Sequence, residues 1–153
     1  EKYVERWLGK NLLPLAKLTP QAKRHSLCQH EQKPIFRLEP DLLVERHGQS
    51  WVLDTKWKRL NAADRQNKYG LNQADFYQLF AYGQKYLGGQ GELVLIYPRW
   101  AWFQSALPLF DFGGGLTLRA LPFDLERNVL VDAELTSLPL CSLEMSGYLK
   151  VGA

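Results

Sequence analysis

The sequence predicts an α/β domain with a central mixed β-sheet flanked by α-helices, and three stretches carry that prediction. Asp41–His47 and Trp51–Trp57 are apolar-rich runs on either side of Gly48-Gln49-Ser50, the pattern of a β-hairpin. Asn72 is a helix-capping residue, and the amphipathic run behind it continues through Leu87 until Gly88-Gly89 stop it. Glu92–Pro98 is a short, continuous apolar run, as expected of a strand covered on both faces. A hairpin, a helix and a doubly buried strand in that order build a layered α/β sheet.

The remaining elements follow the same logic. Glu1–Trp7 reads as an amphipathic helix with Tyr3, Val4, Trp7 and Leu8 turned to the core. The chain begins inside that helix without Met, which predicts a fragment of a longer polypeptide. Between hairpin and second helix, Asn61–Gly70 is polar and reads as a loop that nucleic acid would order. In the second helix Phe76, Leu79, Phe80 and Gly83 form the apolar side, Asp75 sits near the positive end of the dipole, and Gln78 and Tyr82 lie one turn apart. Arg99–Phe103 is dense in aromatics, fit either to stack on bases or to form a satellite core. Leu116–Phe123 alternates like a strand, and Val129–Leu138 reads as a terminal helix. No element is assigned beyond Pro139.

The 153 residues suffice for one independent core without disulfides, so residues 1–153 are expected to form a single domain. Two cysteines, Cys28 and Cys141, are too few for a disulfide framework and are expected to be reduced. His25, Cys28 and His30 lack the fourth ligand and paired spacing of a zinc site. No apolar run reaches the roughly 20 residues that cross a bilayer, and no secretory signal leads the chain, which predicts no membrane partner and a cytoplasmic location. A net charge of +3 does not by itself distinguish a DNA-binding protein. The distribution is more telling: Lys58, Arg59, Arg65 and Lys68 follow the second hairpin strand, where they can track phosphates.

The hairpin carries the chemistry. Pairing His47 with Ser50 would set Asp41 opposite Lys56 and Leu43 opposite Asp54, with Asp41 and Asp54 diagonal neighbours on one face. Leu42, Val44, Trp51, Leu53 and Trp57 would take the other face. Two carboxylates so placed can grip a hard divalent cation, and an ammonium beside them can orient water or stabilise charge near a phosphate. Asp-x-Lys on alternate strand positions also describes an ordinary solvated ion pair. The metal reading gains from Asp54 ending the hydrophobic Trp51-Val52-Leu53, where an acid without partner or metal is expensive to bury.

Taken in order, Leu38-Glu39-Pro40-Asp41, Val52-Leu53-Asp54-Thr55-Lys56-Trp57-Lys58, Asp75–Tyr82 and Leu95-Ile96-Tyr97-Pro98 resemble the nuclease region of the McrC family, the endonuclease subunits of McrBC-type modification-dependent restriction systems. The pattern is that of the PD-(D/E)xK superfamily, and Gln78 with Tyr82 is similar to the Gln-x-x-x-Tyr motif of its RecB-like branch. The resemblance implies a restriction-endonuclease-like PD-(D/E)xK core. It implies that Asp41 and Asp54 hold Mg²⁺ (or Mn²⁺), that the Thr55 carbonyl adds a ligand and that Lys56 is the catalytic lysine. Gln78 and Tyr82 would support the site, and Glu1, ahead of Glu5, would supply an upstream helical acid. It implies DNA as substrate and an AAA+ GTPase partner of McrB type. The chain has no Gly-x-x-x-x-Gly-Lys-Ser/Thr loop of its own. Two other classes fit the residues: a RecB-like repair exonuclease that degrades from ends, and a catalytically inactive adaptor that keeps the nuclease fold.

Overall fold

The computed structural model describes residues 1–141. Helix α1 (Lys2–Asn11) is followed by β1 (Lys17–Pro20), a hairpin of β2 (His25–His30) and β3 (Lys33–Leu38), and a second hairpin of β4 (Leu42–Arg46) and β5 (Gln49–Thr55). Helix α2 (Gln73–Tyr86) leads to β6 (Gly91–Pro98), β7 (Phe110–Gly113), β8 (Leu116–Asp124) and the short β9 (Val129–Leu130). Among the described residues the main sheet runs β1-β4-β5-β6-β8-β7, with β9 added on β8, while β2 and β3 pair only with each other. Strands β5, β6 and β8 are parallel and the other pairings antiparallel, so the sheet is mixed as expected.

The period-two pattern of the central strands splits the core into two layers. Leu42, Val44, Trp51 and Leu53 face α1, packing with Val4, Trp7 and Leu8. Leu43, Val52, Leu93 and Leu95 face α2, packing with Leu79 and Tyr82. The α2 boundaries match the sequence signals: the Asn72 side chain accepts from the Ala74 amide, and the helix ends at Leu87 before two glycines with positive φ. Gly83 lets this helix approach β8, because a Cβ there would sit 2.7 Å from Leu116 Cδ2.

Four expectations are corrected. Tyr3 and Phe80 are exposed rather than core, and Trp57, expected on the buried face, is 68% exposed because β5 ends before it. Val129–Leu138 is not a helix: two residues pair with β8, and a 3-10 turn covers Ala133–Leu135. The chain turns there through Asn128 and Asp132, both with positive φ, and β-branched Val129 suits the strand. The single-domain expectation extends over 142–153, which lie outside the described residues. The zinc-tempting trio His25, Cys28 and His30 lies along β2, with Cys28 exposed as a free thiol.

Candidate metal and phosphodiester site

The β4–β5 hairpin closes with a tighter turn than expected. Arg46 pairs with Gln49, leaving His47 and Gly48 as a two-residue loop with φ of 51° and 78°, the double positive that a primed turn requires. The register therefore differs by two residues from a His47–Ser50 pairing. Two residues is one full side-chain period, so within the paired strands Leu42, Val44, Trp51 and Leu53 keep their common face, whereas a shift of one would have inverted them. Leu42 pairs with Leu53, and one step beyond, Asp41 and Asp54 are direct neighbours: the Asp41 amide donates to Asp54 Oδ1 at 3.3 Å. Asp41 therefore does not lie opposite Lys56.

Thr55 holds Asp41 in place. Its backbone N–H and its hydroxyl both donate to Asp41 Oδ2, each at 2.8 Å. Thr55 was expected to offer its carbonyl to the metal; the contacts seen are these two donors. Lys56 continues the parallel pairing, its amide donating to the Ile96 carbonyl at 2.9 Å. Alternation returns its side chain to the face of Asp54, where Nζ stands 2.9 Å from Asp54 Oδ2, 3.2 Å from Gln78 Oε1 and 3.7 Å from Asp75 Oδ1. The first contact is an ion pair, which makes the Lys56 ammonium the partner of the buried Asp54 Oδ2.

The electrostatics follow from burial. Asp54 is 2% exposed, and desolvation pushes its pKa up from 3.8 to about 6; the Lys56 contact opposes the rise and the Asp41 charge adds to it. Burial alone would lower Lys56, but Asp54, then Asp75 and Asp41, outweigh it and raise its pKa, which keeps the ammonium charged. Tyr82 is raised as well, by burial first and then by the charges of Asp54 and Asp41, so its phenol stays protonated.

Helix α2 supplies the wall. Asp75, Gln78 and Tyr82 recur at helical spacing on one stripe, the first two reaching Lys56 and the third donating its hydroxyl to the Glu39 carbonyl at 3.2 Å. Asp75, a helix-dipole acid by its sequence position, is in the structure a partner of Lys56. The signal was present, since it precedes Gln78 by three residues and Tyr82 by seven. Glu1 lines the same shallow depression as Thr55, Lys56 and Trp57, and its carboxylate accepts from Gln21 Nε2 at 3.3 Å. No group of three or more His, Cys, Asp or Glu side chains converges among the described residues, so Glu1 does not join the two aspartates in one cage.

Asp41 and Asp54 are thus the residues able to hold a cation. Two carboxylates side by side, one of them buried, suit a hard ion such as Mg²⁺, which binds through one or two carboxylates and keeps several waters. The basic residues form no cluster with them: Lys58, Arg59, Arg65 and Lys68 are exposed on the following loop, with Arg59 lying 5.0 Å from the centre of the Trp100 ring. That loop is tied by Asn61 N–H to the Tyr69 carbonyl, Tyr69 N–H to the Asp64 carbonyl and the Trp100 indole to the Leu60 carbonyl.

A family described as McrBC 5-methylcytosine restriction system component matches residues 1–98, which include every site residue named above except those of the loop's aromatic support at Trp100. The chain belongs to that McrBC family. Among solved structures, it is similar to a chain in the refined half-complex from the tetradecameric assembly of Thermococcus gammatolerans McrB AAA+ hexamers with bound McrC. The identity is 17%, the match covers 85% of this chain and 28% of that chain, and the TM-score is 0.59. The likeness is one of fold, and this chain spans little more than a quarter of the other's length. No curated protein matches it. No helix among the described residues is long and apolar enough to cross a membrane.

Proposed function

We propose that this McrBC-family domain is a Mg²⁺-dependent endonuclease of the PD-(D/E)xK type, cutting DNA phosphodiesters as the nuclease part of a complex with an AAA+ GTPase of McrB kind. The observation that carries the reading is the convergence, at one end of β5, of a buried carboxylate, a second carboxylate held by Thr55, and a lysine 2.9 Å from the first and kept charged by the surrounding aspartates. A solvated ion pair needs none of that burial. The partner is inferred from family membership and from the McrB hexamers in the structurally similar assembly.

In this reading Asp41 and Asp54 hold the cation, which when bound would neutralise phosphate charge and acidify a water. Lys56 presents its ammonium to the anionic phosphate, and Gln78 and Asp75 fix where that ammonium points. Thr55 prevents Asp41 from turning away from Asp54, and Tyr82 ties the Glu39-Pro40 approach to α2. The arrangement pre-forms a positive and a negative site side by side, so little side-chain ordering is left for the moment of substrate binding.

The test is cleavage of a closed circular methylated DNA by the intact protein with its AAA+ partner. Asp54→Asn is expected to reduce cutting to background with assembly and DNA binding intact, while retained cutting would sink the catalytic assignment. A closed circle has no ends, so cutting by the wild type also argues against an end-dependent exonuclease.

A further inference from the structure

The β2–β3 hairpin stands outside the main sheet and packs on α2. Between it and the C-terminal end of α2 lies a cleft lined by Lys23, Arg24, His25, Arg37 and Lys85, with no carboxylate among its lining residues. Arg24 is paired with Glu45 at 2.9 Å, whereas Lys23, Arg37 and Lys85 form no ion pair among the described residues. Three uncompensated cations around one cleft, in a chain of net charge +3, are a local concentration rather than an average surface.

The cleft is fixed in space relative to the metal site. The Tyr86 hydroxyl lies 2.7 Å from the Leu38 carbonyl and 3.1 Å from the Ala22 carbonyl, accepts the Arg24 amide at 3.1 Å, and its ring meets His25 edge-on at 4.6 Å. Both ends of the hairpin are thereby pinned to α2. The same helix carries Asp75 and Gln78 against Lys56 and Lys85 at the cleft. Ten residues at 1.5 Å of rise separate Asp75 from Lys85, about 15 Å.

The geometry points to a second contact with the DNA backbone at this cleft, through Lys23, Arg37 and Lys85. It rests on the nuclease reading above. A duplex whose scissile phosphate lies at Lys56 passes its backbone along α2 and meets the cleft about four base pairs away, at 3.4 Å per step. The contact is to phosphates, so it positions the duplex without reading sequence. An acidic protein segment is the competing occupant. The backbone is favoured because the cleft shares one rigid helix with the site.

The test is binding of a short duplex to the intact protein in EDTA, followed by fluorescence anisotropy across a salt series. Replacing all three residues, Lys23→Gln, Arg37→Gln and Lys85→Gln, is expected to flatten the slope of log K against log salt by about 2.7, and the charge-preserving Lys23→Arg, Arg37→Lys, Lys85→Arg set is expected to keep it. An unchanged slope in the glutamine variant overturns the proposal, as does loss of the slope in the charge-preserving one. Loss of AAA+ partner binding with an unchanged DNA slope assigns the cleft to a protein instead. Because no cleavage is involved, the two failures are read separately: an unchanged slope in the glutamine variant with cutting retained removes the cleft contact alone, and a flattened slope in a protein that never cuts removes the nuclease reading alone.

Discussion

Two antiparallel hairpins in this chain have opposite surroundings. The β4–β5 hairpin is inserted between β1 and β6, is covered by α1 on one face and α2 on the other, and carries the site on its last residues. The β2–β3 hairpin has exposed side chains along almost its whole length and is anchored at its base by one tyrosine. On the proposed reading the carboxylates must be fixed to within a fraction of an ångström, which packing on both faces favours. The phosphate contact proposed for the outer hairpin needs only charge at about the right distance.

The strongest way to break this contrast is to remove equal side chains from each hairpin. Leu53 is fully buried between sheet and α1, so Leu53→Ala is expected to destabilise by about 2–5 kcal/mol. Leu27→Ala, on the outer hairpin where Leu27 is 46% exposed, should remain within about 1 kcal/mol. Urea midpoints of the two variants give the comparison directly, and equal losses would mean that the outer hairpin is part of the same packed unit.

The next effect isolates the buried acid. Because Asp54 is raised from 3.8 to about 6, the folded protein keeps this proton in a pH range where the unfolded chain has lost it. Stability from this group is therefore fully present below pH 3.8, falls as pH rises, and is flat above about 6. Asp54→Asn, measured against wild type in EDTA, should be more stable at pH 7.5 by up to about 3 kcal/mol and gain much less at pH 4. A gain of equal size at both pH values would show that desolvation of the carboxylate is not the cause.

These two expectations also mark what was legible in the sequence. The faces of β4 and β5 are readable because strand geometry sends successive side chains to opposite faces whatever their polarity, so a difference of two residues in the turn leaves Asp41, Asp54 and Lys56 together. The turn itself was misplaced because Gly48 suits either of two loops, and only the positive φ at His47 distinguishes them. Helix α2 was readable from Asn72 to Gly88, yet Asp75 was not seen as a partner of Lys56, since a contact across elements leaves no periodic mark. The β2–β3 hairpin is illegible because it lies outside the main sheet with most of its side chains exposed, so His25–His30 and Lys33–Leu38 carry neither a continuous apolar run nor apolar alternation, and Pro34 argues against a strand.

The anchor of the outer hairpin offers a finer test. Tyr86→Phe removes the oxygen that meets two carbonyls and one amide, a change of about 1 kcal/mol in global stability. Its local effect should be larger in proportion: amides of β2 and β3 are expected to exchange with solvent about tenfold faster while those of β4 and β5 hold their protection. Parallel acceleration in both hairpins would dissolve the distinction between them.

The smallest effect concerns Phe36, which is 65% exposed and adopts φ of 59° in the outer hairpin. A left-handed conformation costs a bulky L-residue about 1–2 kcal/mol, which Phe36→Gly relieves in the folded state. Glycine in turn gives the unfolded chain more freedom, worth about 0.5–1 kcal/mol against folding, and little apolar burial is forfeited at so exposed a position. The two terms nearly cancel, so the variant should lie within about 1 kcal/mol of wild type, on the stabilising side. A loss above 2 kcal/mol in the urea midpoint would mean that the phenyl ring is packed in solution. In that case the outer hairpin would be a second rigid body like β4–β5, held by more than Tyr86.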